Sequence, residues 1–125
     1  MKVFRVFSSL LLGLSMIAHA ETPKTCPDIA NIQTEGLDQF TVSNDVYTIF
    51  HQSHYHTSYP WVFSISPIKA TTSDDAIDEA NTLLETIKEW PIPTPKDDGQ
   101  NISCAYALEE SNNIHAIAVL SEPRL

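Results

Sequence analysis

The sequence predicts an α+β domain: a mainly antiparallel sheet of about four to five strands with one amphipathic helix packed on one face. Two observations carry that expectation. Segments before and after residues 73–90 alternate apolar and polar side chains with the period of strands, whereas residues 73–90 carry an apolar stripe at helical spacing.

Met1 to Ala20 reads as a secretory signal peptide. Lys2 and Arg5 give a positive start, Leu10 to Ala18 an apolar core, and Ala18-His19-Ala20 a small-x-small cleavage site before Glu21. Residues 21–125 then form a single small domain, exported to the periplasm or the extracellular space. No later segment approaches the roughly 20 apolar residues of a membrane span.

Within that domain, Asn31 to Thr34 and Phe40 to Val42 are candidates for a short edge strand. Val46 to Tyr55 is rich in β-branched and aromatic residues, and Trp61 to Ile65 alternates large apolar residues with Val and Ser. His56 to Pro60 turns the chain between them, giving a hairpin. The helix runs from near Ser73 to Trp90: Thr72 or Ser73 caps it, Asp74 and Asp75 complement its positive end, and Pro91 stops it. Ala76, Ile77, Ala80, Leu83, Leu84 and Ile87 make its apolar face, with Asp78, Glu79, Glu85 and Glu89 mostly away from it. Pro91 to Gln100 reads as an extended connection. Ile102, Cys104, Tyr106 and Leu108 share one face of a strand, Glu110 to Asn113 turns, and Ile114 to Leu120 completes a second hairpin.

One helix covers one sheet face, yet the second hairpin carries apolar side chains of both parities. The opposite face therefore calls for a cover. The N-terminal segment, stapled through Cys26, is the first candidate; a self-association surface or an apolar ligand groove are the others.

An even cysteine count in an exported domain favours a Cys26–Cys104 disulfide over two free buried thiols. Closing a loop of roughly 80 residues stabilises by about 4 kcal/mol on the chain-entropy model. The formal charge of −9 becomes −11 once Lys2 and Arg5 leave with the leader. Such a chain repels nucleic acid and anionic membrane, since both are bound by neutralising phosphates. Its dispersed acids read as a solvated surface, with an acidic face for a cationic partner as the alternative.

Chemistry concentrates at His51, His54 and His56, interleaved with Tyr47, Tyr55 and Tyr59 and followed by Trp61. In an extended chain His54 and His56 point to the same side, and neutral imidazole ligates haem iron or a divalent transition metal such as zinc or copper. His51 has the opposite parity, and a closed metal site wants three or four ligands. The bland alternative is a polar strand end. No GxSxG, HExxH or P-loop pattern is present, so an enzyme is not expected.

The stretches Cys26-Pro27-Asp28 to Ile32, YPWVFSISPIKA from Tyr59 to Ala70, ISCAYAL around Cys104 and the terminal IHAIAVLSEP together resemble a family of small exported Legionella proteins, largely uncharacterised, some of which are labelled hemin-binding proteins. The resemblance implies an exported, non-enzymatic protein with a link to haem, bound non-covalently because CxxCH is absent. Two classes follow: a binding module for haem or a transition metal using His54 and His56, with His51 as a further candidate, or a secreted protein–protein interaction module acting on a host or envelope partner.

Overall fold

The computed structural model describes residues 25–108 and 113–121. The expected leader, Met1 to Ala20, and the Glu110–Asn112 part of the expected second turn lie outside the described residues. The elements in chain order are α1 (Ile29–Glu35), β1 (Gln39–Ser43), β2 (Val46–Ser53), β3 (Trp61–Lys69), α2 (Ser73–Glu85), β4 (Lys96–Asp97), β5 (Ile102–Tyr106) and β6 (His115–Leu120). They make one six-stranded antiparallel sheet in the order β1-β2-β3-β6-β5-β4, with two helices. The expected α+β class stands; the expected four to five strands and one helix become six and two.

The extra helix, α1, replaces the strand expected at Asn31–Thr34. Ile29 and Ile32 are both buried, one turn apart. The chain leaves the helix at Gly36, whose φ of 74° suits a residue without Cβ. Phe40–Val42 does form the edge strand, as the centre of β1. Asn44 and Asp45, both at positive φ, make the two-residue turn that joins β1 to β2. Strand β3 runs past Pro67, beyond the expected end at Ile65. It does so because β6 pairs only as far as Ser66, and a register shift opposite Tyr47–Ile49 accommodates the proline. β4 is a two-residue strand inside the segment expected to be a plain extended connection.

Helix α2 starts as its sequence indicates. Thr72 is the cap, its hydroxyl accepting from Asp75 N at 3.1 Å. It ends earlier than Trp90. Thr86 turns its hydroxyl back onto the Leu83 carbonyl, and Gln33 from α1 donates to the Leu84 and Ile87 carbonyls at 3.0 and 2.9 Å. Those bonds supply what a further helical turn would have supplied. Ala76, Ala80 and Leu84 are buried, and the two alanines let α2 lie close over β1–β3.

Register tells the faces apart, because directly paired residues share a side. Ile49, Ile65, Ala116 and Tyr106 are aligned across the sheet, as are Phe63, Ala118 and Cys104. All of these are buried, and Cys104 is bonded to Cys26 with a Cα–Cα distance of 5.9 Å. The stapled N-terminal segment and α1 therefore share the side of α2. They do not cover the second face, as the sequence suggested. That face carries Phe50, Val62, Ile117 and Val119, each half-buried by its sheet neighbours. Among the described residues no helix is long and apolar enough to cross a membrane.

Candidate functional site

The sequence-predicted histidines separate into two settings. His51 lies on the helix-bearing side of β2, opposite Phe63, at the rim of the core. Its Nδ1 is 2.9 Å from Asp38 and its Nε2 3.1 Å from Glu35, so both ring nitrogens face carboxylates. Glu35 also accepts from Ser53 Oγ at 2.8 Å. Serine, histidine and acids meet here, but the hydroxyl donates to Glu35 and the imidazole has no nitrogen left to take its proton. The wiring is that of a clamp between α1 and β2. It is not that of an activated nucleophile.

His54 and His56 are not on a strand. β2 ends at Ser53, and Tyr55 and His56 take left-handed φ values of 51° and 63°, so the extended-chain premise for their shared side is corrected. Thr57 organises the turn: its hydroxyl lies 2.7 Å from the His54 carbonyl and 2.8 Å from the Tyr59 carbonyl, and accepts from Trp61 Nε1 at 3.1 Å. Tyr55 and Trp61 are buried core residues, while His54 and His56 remain exposed. Among the described residues no group of three or more His, Cys, Asp or Glu is arranged to hold a metal ion.

Burial draws the pKa of His51 down, but the hydrogen bonds to Asp38 and Glu35 and their charges outweigh it, and the net shift is upward from 6.5. A pKa raised in the folded state stabilises the fold fully below the unfolded value, and that stabilisation is lost as pH rises through the folded value. Thermal stability is therefore expected to fall on going from about pH 6 to pH 8. With partners this exposed the effect is under about 1 kcal/mol. Melting curves of His51→Gln should lack this fall; an identical pH dependence in the variant would show that His51 is not its source.

A different surface gathers the exposed apolar side chains. After α2, buried Ile87 pins the chain, and the next residues form neither helix nor strand, bending at Glu89 and Pro91, because Pro91, Pro93 and Pro95 admit neither helix nor central strand. Trp90 and Ile92 consequently stand out of the core, 74% and 55% exposed. They line a groove of about 280 Å³ together with the apolar or aromatic Pro27, Ile29, Ala30, Pro93 and Tyr106 and the charged Asp28, Lys88 and Glu89. The floor is firmly built. Tyr106 donates its hydroxyl to the Pro27 carbonyl at 2.6 Å, and the disulfide lies one residue away at Cys26. Burial first, with Asp28 and Tyr55 adding to it, pushes the Tyr106 phenol well up, so it stays a donor. A wider groove of about 560 Å³ adjoins the first through Asp28 and Ile92, and His56, Tyr55 and Tyr59 line it.

The result is a small, disulfide-bonded α+β domain with one helix-covered sheet face and an aromatic-rimmed trough beside the bridge. Residues 25–125 match the family model described as a domain of unknown function, DUF4949, and the chain belongs to that family. No curated protein and no solved structure matches it.

Proposed function

We propose that this protein is an exported, non-enzymatic interaction module that seats an apolar side chain of a protein partner in the trough between its N-terminal segment and the Trp90–Pro93 connection. The leader-like N-terminus and the disulfide support export. The observation that carries the reading is the exposure of Trp90 and Ile92 on the rim of a groove with a rigid floor. A solvent-facing tryptophan beside a concavity of apolar residues edged by the charged Asp28, Lys88 and Glu89 is the composition of an interface hot spot. Pro91 and Pro93 on either side of Ile92 limit the freedom that binding would have to freeze.

The test places a photo-crosslinking amino acid at Ile92 and, as a control, at Gln52 on the open sheet face, in cells that export the protein. The reading expects a discrete protein adduct from position 92 and none from position 52. Crosslinking from neither, or equally from both, would overturn it.

A second reading, haem or a transition metal, rests on His56 alone of the three histidines, because His56 lines the wider groove with Tyr59 while His51 is held by two carboxylates. It expects a Soret shift with hemin that is lost in His56→Ala.

A further inference from the structure

The two edges of the sheet are defended very differently. On one side β4 is two residues long, bears Lys96 and Asp97, and is preceded by prolines, so it offers a new strand little to pair with. On the other, β1 is the last strand in the sheet order, all five of its residues are exposed, and Gln39-Phe40-Thr41-Val42-Ser43 contains neither charge nor proline. Phe40 and Val42 pair with Ile49 and Tyr47 and so lie on the helix-bearing side, 42% and 47% exposed. Among the described residues nothing pairs with the outer backbone groups of β1. Acidic residues flank it, both exposed: Asp38 before the strand, whose Oδ1 also meets His51 Nδ1, and Asp45 in the turn after it.

We propose that β1 accepts an extended segment of a cationic polypeptide as an added strand, with basic residues at the segment's ends meeting Asp38 and Asp45 and alternate apolar residues covering Phe40 and Val42. Backbone pairing at an open edge gives such binding its affinity, and side chains at alternate positions give its specificity. Charge chooses the occupant. If two copies of the chain paired antiparallel about Thr41, residue 38 of each would face residue 44 of the other, setting Asp38 beside the second copy's Asp45 at both ends. Like charges in those places oppose self-pairing, and the net charge of −9 adds to the repulsion. A lysine- or arginine-ended segment meets attraction at the same points. The site is separate from the Trp90 groove, so either can fail without the other.

The test titrates the protein with a short blocked peptide of alternating valine and threonine with lysine at both ends, followed by amide chemical shifts. The proposal expects shifts concentrated at residues 39–43. It expects affinity at least tenfold weaker, about 1.4 kcal/mol, when glutamate replaces the terminal lysines or when Val42→Lys is introduced. Val42 is exposed, so that variant should fold normally; Trp90→Ala should bind the peptide as the parent does. Equal binding of the two peptides, shifts mapping to β4–β5 or to the Trp90 groove, or no binding would overturn it. So would a dimer in sedimentation that Val42→Lys abolishes, since the occupant would then be a second copy.

Discussion

Replacing Cys26 and Cys104 together by serine is expected to lower the free energy of unfolding by about 2 to 5 kcal/mol, a large part of what a domain this size possesses. The bond joins residues separated by 78 positions, and both cysteines are buried. Its loss releases the unfolded chain from a long closed loop. It also leaves serine hydroxyls in places built for sulfur. Urea unfolding of the reduced parent, which keeps buried thiols and loses only the loop constraint, should show a loss no larger than that of the double variant. A change under about 1 kcal/mol would mean that the bridge decorates a fold already held by its core.

Leu84→Ala should cost about 2 to 5 kcal/mol, since Leu84 is fully buried where α2 meets the sheet and the close-packed alanines of the same stripe leave little room for the cavity to collapse. Its neighbour Glu85 is exposed, and Glu85→Ala should change stability by under about 0.5 kcal/mol. The contrast is read by the same denaturant titration. Similar losses at the two positions would contradict the assigned face.

Helix α2 was the most legible element because cap, acidic first turn and stripe agree along one run of sequence. Its C-terminus was not legible, for Gln33 reaches the last carbonyls from another element. α1 is seven residues long, too short for a period to show, although Asp28 before an Ile29–Ile32 pair and Gly36 after it were usable signals. The side taken by the N-terminal segment could have been read directly. Cys104 shares parity with Ile102 and Tyr106, so a segment bonded to it must lie on their side of the sheet. At the candidate site, the histidine pattern presumed an extended chain through residues 54–56. No glycine there advertised the two left-handed residues that end the strand. Glu35 and Asp38 are distant enough from His51 in sequence that only the antiparallel pairing of β1 with β2, which starts at Gln39–Phe50, brings them to it. Trp90 looked like the end of a helix; the cue to its exposure was the run of prolines beginning at Pro91, which denies it a periodic buried position.

The central claim is that binding runs through the Trp90–Ile92 trough and not through the histidines. Its most direct test is the affinity of the partner recovered by crosslinking, measured beside a hemin titration, for the parent, Trp90→Ala and the His54→Ala/His56→Ala double variant. The account predicts that Trp90→Ala weakens the partner at least tenfold, about 1.4 kcal/mol, while the double histidine variant binds it unchanged. A Soret shift abolished by the histidine changes, with partner affinity indifferent to Trp90, would contradict it.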